Sequence, residues 1–320
     1  MRCITAFAML VLLVSLAGCS GPEPELPAGP RETTPSPELT TPAKEAETTP
    51  PEPVSPMLEK IAVVVGAAPQ AGFVDVLGGD WVETAVLLPE GQDHQTYEPT
   101  PEQVQQAADA KVVCLGILPF ETQLAAQLRE MGASAIIADI AKGIETRNLA
   151  AESGAEPVPD PHVWLSPPLI EVQAKNITEA LKQAAPRHEE DFDAYLANFL
   201  EEVAATHAKM QEVLAPLKGG TLYVFHPAFG YFGDTYGLKQ EVAPGLMAPS
   251  AEGSVDDLVA AAREAGVRLM IANPGLSADA AKALGDATGA AVVPLDPMTR
   301  DVLRELARIA AEVERAGATE

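Results

Sequence analysis

The chain has 320 residues, 47% of them hydrophobic, which is enough for a large core and for about two domains. Its formal net charge of −25 argues against a nucleic-acid partner, because phosphate binding needs a basic surface. The three cysteines supply no disulfide framework for the folded body: Cys3 and Cys19 lie in the first twenty residues, and Cys114 lies in an apolar run typical of a buried strand.

Residues 1–19 have the pattern of a lipoprotein signal peptide. Arg2 precedes an apolar stretch from Ile4 to about Leu16, which is shorter than the roughly 20 residues of a stable membrane span. The stretch ends in LAGC, which resembles a bacterial lipobox and predicts lipidation of Cys19. An ordinary signal peptide that happens to contain a cysteine is the alternative.

Residues 20–57 have the composition of a disordered tether. They hold 11 of the 29 prolines, many threonines and glutamates, and no aromatic residue. Such a segment cannot bury enough apolar surface to offset its chain entropy, and its prolines keep it extended. The folded body is therefore predicted to begin near Leu58.

The next part of the chain, 58–185, alternates strands and helices. Apolar runs at 61–66, 81–88, 111–116 and 134–139 are separated by helical segments, which predicts parallel strands in a doubly wound α/β lobe. Thr100, Pro101 and Gln103 begin one helix with a capping box. The loop before that helix follows the carboxyl end of a strand, where such sheets bind ligands.

A long helix is predicted to link this lobe to a second one. Apolar residues recur at three- and four-residue spacing from about Glu189 to Leu214, within a linking segment at 186–216. Strand and helix patterns then alternate again through 217–320, which predicts a second α/β lobe.

Three of the five histidines share a setting that suits metal binding. His94, His162 and His226 each lie near a proline, just past an apolar strand or at a lobe border, and Asp296 follows the strand in VVPLDP. Imidazole and carboxylate together suit zinc and similar first-row metals. His188 begins a helix among charges and is interpreted as solvated, and His207 lies on an apolar stripe and is interpreted as a packing residue.

Four ordered motifs resemble those of the substrate-binding proteins of zinc and manganese ABC transporters. They are GQDHQTYEPTPEQ, DPHVWLSP, FHPAFGYFGDTYGL and VVPLDP, and the resemblance covers nearly everything from Ile61 to the last helix. It implies two α/β lobes joined by one long helix, with the metal in the cleft between them. It also implies His162 and His226 as nitrogen ligands and Asp296 as the oxygen ligand.

The first motif departs from the family pattern. When the motif is aligned on TYEP, the family's histidine falls on Gln95, and His94 takes the position usually held by proline. Ligand chemistry favours His94, because an amide oxygen is a poor zinc ligand compared with imidazole. Gln95 or water is the alternative. The histidine-rich loop of some zinc-type members is also lacking between the first and second motifs.

The resemblance implies a lipid-anchored, extracytoplasmic binding protein that captures a divalent metal and delivers it to an ABC permease, without catalysis. Zinc-type members carry a histidine at the third motif, so His226 favours Zn²⁺ over the alternative, Mn²⁺. A monomer is expected. Two other functions stay open: a surface adhesin-type lipoprotein, and a metal-dependent hydrolase for which Glu98 is the nearest candidate base.

Overall fold

A computed structural model describes residues 60–149, 158–246 and 255–317 of the chain. The predicted signal peptide, the predicted tether and the predicted lipidation site Cys19 lie outside the described residues. No helix in the described part of the chain is long and apolar enough to cross a membrane.

The N-terminal lobe, which we define as described residues 60–188, contains a parallel sheet of order β2-β1-β3-β4. Its strands are β1 (Ile61–Val65), β2 (Val82–Val86), β3 (Val112–Leu115) and β4 (Ile136–Asp139). Its helices are α1 (Ala68–Gly78), α2 (Pro101–Asp109), α3 (Pro119–Glu130) and α4 (Pro167–Ala184). The two inner strands are apolar because helices cover both faces of the sheet.

Helix α5 (Glu189–Leu214) joins the two lobes. Its 26 residues give a length of about 39 Å. Pro186 begins a short 3-10 turn that separates α5 from α4. One side of α5 is buried along its whole length, from Phe192 to Leu214, and packs against α1 and α4. The helix therefore acts as a stiff connection, as its apolar spacing predicted.

The C-terminal lobe, residues 215–317 as far as they are described, repeats the same strand order as β6-β5-β7-β8. Its strands are β5 (Thr221–Val224), β6 (Lys239–Val242), β7 (Leu269–Ala272) and β8 (Ala291–Pro294). Its helices are α6 (Gly230–Tyr236), α7 (Val255–Glu264), α8 (Ala278–Thr288) and α9 (Val302–Gly317).

The sequence did not indicate strand β6 or helix α6. Strand β6 reads KQEV and lies at the edge of its sheet, half exposed, so it lacks the apolar run that marks the inner strands. Pairing with β5 holds it in the extended conformation instead.

One hydrophobic core runs through both lobes, and a smaller second cluster lies under β7 and α7. The predicted fold class, two doubly wound α/β lobes joined by a long helix, is confirmed. The predicted residue boundaries of the lobes remain predictions, because no gap in the core marks them.

Candidate metal centre

His94 lies in the loop between β2 and α2, and a tight turn directs it inward. The Asp93 Oδ1 atom accepts a hydrogen bond from the Gln95 backbone N–H at 2.9 Å, and the Thr96 N–H donates to the Asp93 carbonyl at 3.3 Å. Asp93 and Gln95 are exposed, whereas His94 is only 6% exposed. An aspartate that bonds to the backbone two residues on forms such a turn by itself.

The TYEP part of the same motif anchors the loop to the lobe. The Tyr97 hydroxyl lies 2.6 Å from both the Leu87 carbonyl and the Gln103 Oε1 atom, and its single proton serves one of them at a time. Gln103 also completes the predicted capping box with Thr100 at the beginning of α2. The Tyr97 ring packs edge-on against Phe120. This part of the motif therefore supports the fold of the loop that carries His94.

His162 is completely buried and is fixed in one orientation by Asp160. Its Nδ1 atom lies 2.8 Å from the Asp160 Oδ1 atom, and its backbone N–H donates to the same oxygen at 3.1 Å. A carboxylate beside Nδ1 assigns the proton to that nitrogen. The Nε2 atom is thereby left with its lone pair free, which is the arrangement found in many metal-binding histidines.

His226 follows the carboxyl end of β5, two residues after the strand ends. Its carbonyl accepts a hydrogen bond from the Ala228 N–H at 2.8 Å, which turns the chain toward α6. The neighbouring Phe225 N–H donates to the Ile271 carbonyl of β7 at 3.0 Å. His226 thus lies on a rigid strand end of the C-terminal lobe, and it is half buried.

The three histidines converge. One nitrogen from each ring of His94, His162 and His226 lies within 4.8 Å of the others. The ring centroids are 5.1, 5.6 and 5.9 Å apart, and every pair of rings meets nearly at a right angle. Nitrogens bound to one tetrahedral zinc at about 2.0 Å would lie about 3.3 Å apart, so a small closure would bring all three onto one ion.

Burial and mutual repulsion favour the neutral forms of His94 and His226. Burial, with the nearby His162 and His226, lowers the pKa of His94 to about 4, and burial also lowers the pKa of His226. The Nε2 atoms of His94 and His162 are buried and have no hydrogen-bond partner among the described residues. A buried nitrogen without a partner is costly to leave so, and a bound cation would satisfy both of them.

A cavity of about 990 Å³ surrounds the three histidines and receives residues from both lobes. Asp296 and Gln95 line it, but the Asp296 carboxylate does not belong to the group of mutually close ligand atoms. Asp296 is exposed, and its Oδ1 atom accepts a hydrogen bond from the Met298 N–H at 2.9 Å. The structure therefore brings three of the five predicted metal-site residues together, leaves Asp296 outside that group, and places Gln95 in the cavity wall with an exposed side chain.

The remaining candidates lie elsewhere. His188 stacks on Trp81 with ring centroids 3.6 Å apart, and His207 contacts Tyr236 through its Nδ1 atom at 3.2 Å. Glu98 is exposed and is not among the described residues that line the cavity.

Sequence reasoning missed Asp160. It stands two residues before His162 in the DPH motif, so a carboxylate at that short spacing was the available signal. It was overlooked because an aspartate before a proline is also an ordinary turn residue.

Comparison with known proteins identifies the family of the chain. The family model "Zinc-uptake complex component A periplasmic", named ZnuA, matches residues 63–305, which is more than half of the chain. The chain belongs to this family. The resemblance inferred from the four motifs is thereby confirmed, as is the expected function at the level of the family: an extracytoplasmic metal-binding component of a metal transporter.

Individual relatives of the ZnuA family include both zinc and manganese proteins. The high-affinity zinc uptake system protein ZnuA of Bacillus subtilis is 26% identical over 245 residues, 72% of this chain and 76% of its own length. The manganese-binding lipoprotein MntA of the same organism is 26% identical over 200 residues, 62% of this chain and 65% of its own. A crystal structure of ZnuA is 30% identical, covers 82% of this chain and 100% of its own, and gives a TM-score of 0.62.

Proposed function

We propose that this protein captures one divalent cation, Zn²⁺ in preference to Mn²⁺, and delivers it to the permease of an ABC transporter. His94, His162 and His226 bind the ion, and Asp296 completes its coordination from the same cavity. The observation that carries this proposal is the convergence of three imidazole nitrogens within 4.8 Å of one another, from three distant parts of the chain.

The donor set favours zinc. Imidazole nitrogen suits zinc and copper, whereas manganese prefers carboxylate, carbonyl and water oxygens. The Nε2 atoms of His94 and His162 are buried and lack partners, and Asp160 fixes the His162 ring before any ion arrives. Preformed donors reduce the ordering cost of binding.

His94, rather than Gln95, is the ligand that we propose for the first motif. The turn made by Asp93 places the His94 ring among the other two histidines, and Gln95 is exposed. The expected register of the motif is thus displaced by one residue, and the imidazole is kept at the site.

We propose that the bound ion is cargo and that the protein catalyses no reaction. Three histidines and a carboxylate leave no coordination position for a substrate, whereas catalytic zinc sites keep one open. Glu98, the nearest candidate base, is exposed and does not line the cavity. Zinc-dependent hydrolysis of ester, phosphoester or peptide substrates by the purified protein would contradict this part of the proposal.

The location and the anchor are also proposals. Cys19 is lipidated, and residues 20–57 tether a monomeric binding protein to a bacterial membrane from outside the cytoplasm. The apolar leader that ends in LAGC supports this, and the relative MntA is described as a lipoprotein. Mass spectrometry of the membrane-extracted protein should find acyl chains on Cys19, and Cys19→Ser should release the protein from the membrane fraction.

One experiment tests metal capture directly. Protein stripped of metal is titrated with Zn²⁺, Mn²⁺, Co²⁺ and Ni²⁺ against a chelator of known affinity, and the bound metal is measured by mass spectrometry. One zinc ion per chain, bound more tightly than manganese, is expected, together with a rise in melting temperature by mass action. No uptake of any of these ions, with no melting shift at saturating zinc, would end the proposal.

A further inference from the structure

A line of polar contacts leads from His162 away from the cavity to the other lobe. The Asp160 carboxylate holds His162 through its Oδ1 atom, and its Oδ2 atom lies 3.3 Å from the Arg147 Nη1 atom. The Nε atom of Arg147 in turn lies 3.1 Å from the Asp234 Oδ2 atom of helix α6. One guanidinium therefore bridges a buried carboxylate of the N-terminal lobe and a carboxylate of the C-terminal lobe.

Helix α6 is shaped to receive this arginine. A Cβ atom at Gly230 would overlap the Arg147 Nη1 atom and would come within 2.7 Å of the Asp160 Oδ2 atom. The next residue, Tyr231, donates its hydroxyl to the Asp160 carbonyl at 3.0 Å and accepts the Arg147 backbone N–H at 3.1 Å. The guanidinium also lies 5.8 Å from the centre of the Tyr231 ring. Glycine at 230 is thus what lets Arg147 reach Asp160.

The two ends of this bridge differ in burial and therefore in importance. The side chain of Asp160 is 0% exposed, whereas that of Asp234 is 66% exposed and that of Arg147 is 32% exposed. A buried carboxylate needs a compensating charge, and an exposed ion pair contributes little. Without Arg147, the Asp160 carboxylate would keep its contact with His162 but would lose its positively charged partner. Its Oδ2 atom would then no longer be held, and the carboxylate could turn away from His162.

We propose that Arg147 is a positioning residue that makes the orientation of His162 depend on the docking of helix α6 against the N-terminal lobe. The inference rests on the proposed function, since it takes His162 as a metal ligand. Movement of α6 away from Arg147 and Asp160 breaks the contacts of Arg147 and loosens Asp160 and His162. Separation of the lobes at this point weakens the binding of the ion by His162. Release of the ion is thereby coupled to a contact outside the cavity, the pair between Arg147 and Asp234.

The main test uses Arg147→Gln, which keeps a long polar side chain and removes the charge. Release of Zn²⁺ to an excess of chelator is timed, and the visible absorption of the Co²⁺ form reports the geometry of the ligands. Release is expected to be about tenfold faster. Mutation of residues that hydrogen-bond to metal-binding histidines typically lowers metal affinity by at least this factor. The Co²⁺ bands are expected to shift, and Arg147→Lys should restore part of the rate.

Two further variants make the test specific. Gly230→Ala keeps every charge but displaces Arg147, so it should reproduce both effects of Arg147→Gln. Asp75→Asn breaks the 3.2 Å pair between Asp75 and Arg300, another contact between the lobes that does not touch Asp160, and should change the release rate less than about twofold. Equal acceleration by Asp75→Asn would show general loosening of the lobes and would overturn the specific role.

A folded Arg147→Gln protein with unchanged release rate and Co²⁺ spectrum would also overturn the inference. If that variant does not fold, Asp234→Asn decides the question, because it removes only the exposed end of the bridge. About two- to fivefold faster release is expected, because Asp234 holds the guanidinium that contacts Asp160, and an unchanged rate counts against the inference. If the unmutated protein binds no metal at all, the proposed function itself fails, and that result is distinct from either outcome above.

Discussion

The two lobes share one topology but use their equivalent crevices differently. In each sheet the strand order reverses beside the first strand, between β1 and β3 in one lobe and between β5 and β7 in the other, and such reversal points are the usual ligand sites of these folds. In the C-terminal lobe, His226 follows β5 and Asn273 follows β7, and both residues line the cavity. In the N-terminal lobe the equivalent crevice is filled.

Gln70 and Glu121, both almost fully buried, fill it. The Gln70 Oε1 atom accepts the Gly66 and Ala67 N–H groups, and its Nε2 atom donates to the Glu121 Oε1 atom at 2.7 Å. The Leu118 N–H donates to the Glu121 Oε2 atom at 2.8 Å.

A side chain at Gly66 would overlap Glu121, so the glycine makes room for this network. The crevice with its polar groups satisfied has no need of a ligand. The C-terminal crevice instead opens to the cavity where His226 meets His94 and His162 of the N-terminal lobe, whose Nε2 atoms lack partners, and this is where we propose that the ion binds.

Removing a histidine should produce the largest effect. His226→Ala is expected to lower zinc affinity more than about 100-fold. Loss of a direct ligand should lower the affinity more than loss of a residue that only hydrogen-bonds to a ligand. His188→Ala is the matched control, since His188 stacks on Trp81 away from the cavity and should leave affinity unchanged. The measurement is competitive titration, and equal losses in the two variants would contradict the assignment of the site.

A second comparison decides which residue of the first motif binds the ion. His94→Ala should lower zinc affinity by a similar factor, whereas Gln95→Ala should change it less than about threefold, as expected for an exposed side chain. A larger loss with Gln95→Ala would show that the family register holds and that His94 is a bystander. Both variants are titrated in parallel with the same chelator.

The first motif also shows which features could be predicted from the sequence and which could not. Strand runs such as IAVVV, the spacing along α5 and the capping box at Thr100 are local signals, and each one predicted its element. His94 and Gln95 could not be separated by pattern, because a displacement by one residue depends on the turn that Asp93 makes. Strand β6 was missed because its conformation comes from pairing with β5 rather than from its own residues.

Glu121→Gln tests the filled crevice. Burial raises the pKa of Glu121 to about 7 from its ordinary value of 4.5. A raised folded-state pKa gives a contribution to stability that is complete below about pH 4.5 and is lost as the pH rises through 7. From pH 5 to pH 8 this group should therefore lower the free energy of unfolding by about 2.5 kcal/mol.

The glutamine variant lacks that titration. The free energy of unfolding of the metal-free protein is measured by urea unfolding at pH 5 and pH 8. The exposed residue Glu190 supplies the control variant, Glu190→Gln. His94 and His226, whose pKa values are lowered, act in the opposite sense below about pH 6.5, so the quantity compared is the difference between variant and unmutated protein at each pH. If that difference is the same at pH 5 and pH 8, Glu121 is ionised in the folded protein throughout, and the crevice is less sealed than its contacts indicate.

The smallest expected effect concerns Asp296, a carboxylate of the C-terminal lobe that follows β8. It lines the cavity but stands outside the group of close ligand atoms, and its Oδ1 atom is engaged with the Met298 N–H. Asp296→Asn should therefore lower zinc affinity about tenfold, less than a histidine does, since a neutral oxygen can remain near the ion while the charge is lost. Asp286→Asn, on the exposed face of α8, is the control for loss of one negative charge. A loss as large as that of His226→Ala would show that Asp296 contributes as much as an imidazole and would require the lobes to close further around the ion, whereas no loss would contradict the proposed carboxylate ligand and leave three histidines and water as the whole site.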